Sequence, residues 1–535
     1  MRRRFFRAGL LPAALAALAA SGGCASPPPP ALTADTLLVG GWIHDGSGGA
    51  PYAGDVAIRG ERIVFVGDAA RAGVTAARRI DARGLIVAPG FIDPHTHSGS
   101  DLASDDAGAR AVLNHLTQGV TTVFIGNDGD GEPDVAARHA AMQARGVGAN
   151  VGSFVGFGAV RRAVVGEAAR APSPDELARM KSLVAGAMCQ GAVGFSAGLY
   201  YAPQSFAKTD EVVALAREAG PRGGLYDTHL RDESSDNIGL LAAVDEALEI
   251  GRRAGLPVHI AHIKAQGVDV HGRSGDVIAR IEAERAAGRR VTADQYPWRA
   301  SGTRVSNALV PRWMMDGGMP ATRTRLADAS LRPRLLPEMA DNLRRRGGPE
   351  SLLITSGRHT GKTLGAVATA WNVEPVEAAI RIVRDEGDAR VASFNMTDAD
   401  IRNFAARPWV VSSSDATSGH PRRFGTFPLA WRKFVREEGV LTPAQFVRRS
   451  TGQTADIFGL KERGYLREGA FADVVAFDPT AFAPRADFQN PTLLSEGVRW
   501  LLVNGSVAIE AGVPTRALAG KALAKSLPPG AECAR

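Results

Sequence analysis

The stretch Gly90 to Asp101, GFIDPHTHSGSD, places His95 and His97 one residue apart directly behind a run of apolar, strand-forming residues. In a strand, residues two apart share a face, so both imidazoles project to one side while Thr96 projects to the other. The same arithmetic couples His229 with Arg231, His262 with Lys264 and Asp294 with Tyr296, each at the end of a short apolar segment. Four imidazoles and several carboxylates gathered in one pocket suit a divalent ion, because neutral imidazole nitrogen and carboxylate oxygen match the preferences of zinc. A lone histidine is more often a hydrogen-bonded structural group, and His44, His115, His139 and His271 are read that way. His259, three residues before His262, is expected to face away from the pocket.

Such a pocket exists only if the strand ends meet. The candidate strands are GFIDPHTH, TTVFIGND, NVGSFVGFG, AVGFSAGL, GLYDTHLR, VHIAHIK, VTADQY and WVVSSSD, with helical stretches such as 174–190 and 235–253 in the gaps. Eight strands alternating with helices predict an α/β fold, a (β/α)8 TIM-like barrel, whose C-terminal mouth gathers the side chains at the strand ends. A ninth candidate, SLLITSG near Ser351, is assigned to an insertion between the seventh and eighth strands. The Pro-, Met- and Arg-rich stretch at about 305–365 is too long for an ordinary βα loop and is expected to form a lid. Short alternating segments separated by Gly and Asp fill 36–90 and return at 466–520, which predicts one β module built from both ends around a barrel spanning 91–465.

Residues 1–30 are read as an export signal and linker: a basic start, an apolar run from Ala8 to Ala20, small residues and then four prolines. The Arg2–Arg7 segment resembles a twin-arginine signal, and Cys24 behind Ser-Gly-Gly is similar to a lipoprotein cleavage box. Membrane attachment through a lipidated Cys24 and release into the periplasm both stand open. Of the formal net charge of +7, four positive charges belong to arginines of the leader, so the remainder is close to neutral and a nucleic-acid partner is excluded. Beyond Cys24 only Cys189 and Cys533 remain, too few and too far apart in sequence to suggest a disulfide framework. No later apolar run is long enough for a membrane span.

In order and spacing, VAPGFIDPHTHSGSD, GVTTVFIGND, YDTHLRDES, HIAHIKAQG, TADQYPW, SSSDATSGHPRRFGTFP and RGYLREGAFADVVAFDP resemble the amidohydrolase superfamily, and within it the D-aminoacylases or N-acyl-D-amino-acid deacylases. The resemblance implies a metal-dependent barrel with a small β-sandwich built from both chain ends. It implies one or two zinc ions, with His95 and His97 as one ligand pair, His229 and His262 as the other, and Asp415 as proton shuttle. Where the typical D-aminoacylase carries cysteine in a GNCG motif, this chain has Asp128; a carboxylate is the harder ligand and can bridge two ions, although NDGDG also reads as a turn. A bound divalent ion lowers the pKa of its water from about 15.7 to about 7 and polarises an amide carbonyl.

The chain also carries Lys264, Arg231 and Arg422 with no acidic partner evident on the same face. By resemblance, Lys264, Tyr296 and Arg422 hold the α-carboxylate of a small N-acyl amino acid, and Arg423 lies on a solvated rim. TRVSNAL at 303–309 offers mostly uncharged groups to the substrate side chain, unless Arg304 faces in and selects an acid. The expectation is hydrolysis of N-acyl-D-amino acids. Two alternatives are an amidohydrolase of cyclic amides or dipeptides and a non-catalytic envelope lipoprotein that keeps only the fold.

Overall fold

A computed structural model describes residues 32–533. The expected export segment and Cys24 lie outside the described residues.

Eight short parallel strands form the centre. In order they are Phe91–Asp93, Val120–Ile125, the nearly continuous Asn150–Ser153 and Val155–Gly156, Phe195–Gly198, Tyr226–His229, Val258–Ile260, Val291–Gln295 and Val410–Ser412. Each pairs in parallel with its successor, and the last returns to the first through a bridge between Thr96 and Ala416, so the sheet closes on itself as a barrel. Nearly every residue of these strands is buried, as required of parallel strands covered by side chains inside and helices outside. Local signals agree with the outer helices. Pro174–Cys189 opens with a reciprocal capping box between Ser173 and Glu176 and a proline at its first position; Leu240–Ala254 stops at Gly255, which takes the left-handed conformation at φ 71°.

Strands from both chain ends share one nine-stranded sheet, because Val474–Phe477 lies antiparallel to Ile86–Pro89. The excursion between the seventh and eighth barrel strands is wider than the 305–365 stretch. Ala300–Arg304 pairs antiparallel with Arg390–Phe394, which also pairs with Leu352–Ile354. Leu309, Met314, Leu335, Met339 and Ile380 give this unit a core of its own.

The cysteine reading is corrected. Ala522–Leu523 runs parallel to Val151–Gly152 at the third barrel strand, and the tail then reaches the end of helix Pro174–Cys189, where Cys533 and Cys189 form a disulfide with Cα atoms 5.8 Å apart. Sequence separation hid the pair, since the tail returns to the barrel only after the chain has gone once around it. No described helix is long and apolar enough to cross a membrane.

Candidate metal centre

The first strand ends in an alternation of Asp93, His95 and His97. Asp93 is fully buried and accepts from the Ser414 backbone N–H at 3.0 Å and from its hydroxyl, while Asp415 N–H donates to the His95 carbonyl at 2.9 Å. The first and eighth strand ends are thereby locked together. Three site residues, Asp128, His262 and Asp415, have positive φ (56°, 34° and 46°), a conformation that costs free energy for non-glycine residues and persists only where neighbours enforce it. For Asp128 the enforcement is visible: Gln204 Nε2 donates to its carbonyl at 2.8 Å, and Gly198 makes room, since a Cβ there would lie 2.4 Å from that oxygen.

His262 is held by its N–H donating to Asp294 Oδ1 at 2.9 Å, and its turned backbone overturns the expectation for His259. Alternation does not carry through such a turn. His259 is buried beneath the cluster, hydrogen-bonded through Nε2 to Asp294 Oδ2 at 2.9 Å and through Nδ1 to Thr292 at 2.8 Å. Asp294 thus anchors both histidines of the sixth strand and its following turn.

The structure brings His95, His97, Asp128, His229, His262 and Asp415 into one group. Asp128 Oδ1 lies 3.5 Å from His95 Nε2 and 3.5 Å from His262 Nε2, while Oδ2 lies 3.5 Å from His97 Nε2 and 3.8 Å from His229 Nδ1. Three triads that could hold an ion follow, His95–His97–Asp128, Asp128–His229–His262 and His95–His262–Asp415, the first two sharing Asp128. Asp415 Oδ1 sits 3.2 Å from His97 Nε2.

The residues fit a divalent cation. His95 is wholly buried, yet neither ring nitrogen has a hydrogen-bond partner among the described residues, and Asp128 Oδ1 has none either. Orphaned buried polar atoms are costly and a ligated ion would satisfy them. Without an ion, the cluster draws protons instead. Burial opposes the His97 imidazolium, but hydrogen bonds and charge from Asp128 and Asp415 outweigh it and raise its pKa to about 9. Burial and Lys264 likewise oppose the His262 imidazolium, and Asp415, Glu233 and Asp128 overcome them to raise it to about 10. Asp128 is held well below the ordinary carboxylate range by His95, His262 and His229 despite burial.

The cations are paired, contrary to the expectation from sequence. Lys264 Nζ is 2.7 Å from Glu233 Oε1 and 2.6 Å from His262 Nδ1; Arg422 Nη2 is 2.8 Å from Asp415 Oδ2. Arg231 turns out of the pocket onto Glu246 at 2.8 and 2.9 Å, and Arg423 is a mostly buried partner of Asp101 rather than a solvated rim group. Tyr296 lies between the two pocket cations, its ring centre 4.7 Å from the Arg422 guanidinium carbon and 5.7 Å from Lys264 Nζ. The Tyr296 hydroxyl, Arg422 Nη1 and Arg422 Nε have no partner among the described residues. Tyr296 and Arg422 line a cavity of about 470 Å³ together with His97, Asp128, His229, His262 and Asp415.

Glu233 was missed in the sequence; its signal was an acid four residues beyond His229 in HLRDES, and it lies 3.2 Å from His262 Nδ1. Asp93 was missed, and Asp294, read only as sharing a face with Tyr296, was missed as a support. His115 and His139 make ordinary hydrogen bonds to Ser98 and Ser153, and His271 to the Asn395 carbonyl.

Comparison with known proteins adds relatives to this geometry. Residues 78–509 match the profile of the amidohydrolase family. The chain is 34% identical to an N-acyl-D-glutamate deacylase of Alcaligenes xylosoxydans xylosoxydans over 90% of this chain and 95% of that one. A D-aminoacylase of the same organism is 32% identical over 92% and 98%. The crystal structure of an N-acyl-D-glutamate deacylase from Bordetella bronchiseptica, complexed with zinc and a phosphonate mimic of the tetrahedral intermediate, superimposes with a TM-score of 0.79 at 31% identity, covering 92% of this chain and all of that chain.

Proposed function

Because the chain belongs to the amidohydrolase family, we propose that it is a zinc-dependent deacylase of N-acyl-D-amino acids, with His95, His97, Asp128, His229 and His262 as metal ligands and Asp415 as proton shuttle. The observation that carries this reading is the sharing of one carboxylate, Asp128, between two histidine pairs, with Asp415 beside them and an unsatisfied guanidinium and phenol opposite.

Zinc held there supplies a nucleophilic water at neutral pH and polarises the scissile carbonyl. The chain's own residues do the remainder. Lys264, Tyr296 and Arg422 grip the α-carboxylate and fix the substrate against the metal ligands. Asp415 takes the proton released by the water and delivers it to the departing amine, a poor leaving group until protonated. Arg422 pairs with Asp415 and holds it ionised; a substrate carboxylate that takes Arg422 as its partner frees Asp415 from that ion pair, so its basicity rises as substrate arrives.

The same reading covers the wider chain. The sheet shared by both ends is taken as the β-sandwich that accompanies the barrel. The chain is taken to be exported, and a disulfide between Cys189 and Cys533 fits an oxidising compartment. Metal analysis of the purified protein, with paired N-acetyl-D- and N-acetyl-L-amino acids as substrates, tests the proposal. Zinc with release of acetate from D-substrates alone supports it. Equal cleavage of amidated substrates lacking the carboxylate would move the cyclic-amide or dipeptide reading ahead.

A further inference from the structure

The cleft has a second wall that belongs to the insertion rather than to the barrel, and its charges are of a different kind. Four acids line the cleft and all are engaged: Asp128 by histidines, Asp130 by Arg162 at 3.0 Å, Glu233 by Lys264 at 2.7 Å and Asp415 by Arg422 at 2.8 Å. Of the seven lysines and arginines on the cleft, four form no ion pair among the described residues: Arg138, Arg304, Arg346 and Arg390; Arg346 is instead tied to the Tyr200 hydroxyl and the Ala308 carbonyl. Arg304 and Arg390 stand directly opposite each other on paired antiparallel strands, both line the cleft, and neither forms an ion pair among the described residues. Arg304 donates only to the Asp388 carbonyl at 2.9 Å; the Asp388 carboxylate itself is taken by the Ser306 N–H and hydroxyl at 2.9 and 2.7 Å. Like charges directly across a strand pair destabilise it. Here Arg422 adds to the repulsion, and burial with the charges of Arg304 and Arg422 holds the Arg390 pKa below that of a free guanidinium. Facing guanidinium groups that repel each other, Arg390 partly buried and Arg304 exposed at the cleft edge, form a site that gains stability when an anion enters.

The position of that anion relative to the reacting centre follows from the strand. Gly302 abuts Arg422, since a Cβ there would lie 3.1 Å from Arg422 Nη2, and Arg304 is two residues further along the same strand face. One two-residue step, about 6.8 Å in an antiparallel strand, therefore separates the α-carboxylate grip from the guanidinium pair. A ligand spanning the two carries a second acid a few bonds from its first.

We propose that Arg304 and Arg390 form the side-chain subsite and select N-acyl-D-amino acids with an acidic side chain, D-glutamate or D-aspartate, over their neutral counterparts. This rests on the deacylase reading and replaces the expectation of neutral side chains drawn from the TRVSNAL stretch.

The test compares N-acetyl-D-glutamate with N-acetyl-D-glutamine, which differ in charge and little in shape, in the zinc-loaded enzyme and its variants. The expected kcat/KM ratio favours the acid by at least about 100-fold, because a site built for a charged partner leaves its own groups unpaired with the analogue. In Arg390→Met the ratio collapses towards unity through loss of kcat/KM for the glutamate substrate, and Arg390→Lys recovers part of the preference. Native zinc content and an unchanged unfolding midpoint report that the variant is folded; if Arg390→Met does not fold, Arg304→Met is read the same way. A wild-type ratio near one, or a ratio that survives both substitutions, overturns the subsite. If no N-acyl-D-amino acid is cleaved, the deacylase reading fails by itself, and calorimetric binding of D-glutamate against D-glutamine still decides whether the subsite exists.

Discussion

The two walls of the cleft handle charge in opposite ways. At the barrel rim each acid meets an imidazole, an ammonium or a guanidinium, down to Lys264 on Glu233 and Arg422 on Asp415. On the insertion, Arg304 and Arg390 face each other with no acid between them. The rim is fixed by parallel strands whose ends are locked through Asp93, Ser414 and Asp294. The insertion is a separately packed unit whose wall can vary without disturbing that geometry. The contrast teaches that rate and selectivity are housed apart: the rim supplies chemistry, the insertion supplies the choice of substrate.

The division breaks most visibly at the rim. Stripping metal with a chelator, or replacing Asp128 with Ala, should lower activity to below about one per cent of the native enzyme, since the ion supplies the nucleophile, and metal analysis of the Ala variant should show at least one ion lost. Asp128→Cys should retain zinc in part, because thiolate is also an anionic ligand. Full metal content with normal turnover in Asp128→Ala would reduce Asp128 to a turn residue.

Next in size is Asp415→Asn, expected to lower kcat by roughly 10²- to 10⁴-fold, the usual range for a lost general acid–base group, with metal still bound. Metal loss in that variant would make Asp415 chiefly a ligand and would shift the boundary between ligands and proton carrier. Asp294→Asn sharpens the picture beneath the rim. Its carboxylate accepts from the His262 N–H, from His259 and from Ser413, so its loss should weaken metal affinity by about 10- to 100-fold, while the preference among side chains stays as it was. A change in that preference would mean the two walls are not independent.

The smallest effect on activity is expected far from both walls. Cys189→Ser opens the disulfide that ties the tail to the barrel. Thermal and denaturant unfolding should show a loss of about 2–5 kcal/mol, with kcat and the ratio of acidic to neutral substrates unchanged. Thiol titration of the native protein under denaturing conditions should find neither Cys189 nor Cys533 free.

Much of the barrel was legible because buried parallel strands have a simple local code, apolar runs such as TTVFI and VHIAHI that end where polar chemistry begins. The alternation in HTH put His95 and His97 on one face correctly, since no turn intervenes. It misled at His259, where the positive φ of His262 breaks the period of two. The acid on Lys264 escaped because Glu233 and Lys264 are 31 residues apart on neighbouring strand ends, a proximity that only the barrel creates.

What the sequence determined by itself is therefore what local periodicity and short motifs encode: eight strands, their alternation with helices, and the residue types set at their ends. The tertiary structure decided the pairings, because these depend on distance through space between segments remote along the chain. Cys189 meets Cys533 across 344 residues, Lys264 meets Glu233 across 31, and Arg390 meets Arg304 only when antiparallel strands of the insertion come into register. A charge in a sequence has a sign but no neighbours; folding supplies the neighbours, and with them the difference between a neutralised ion pair and an anion site.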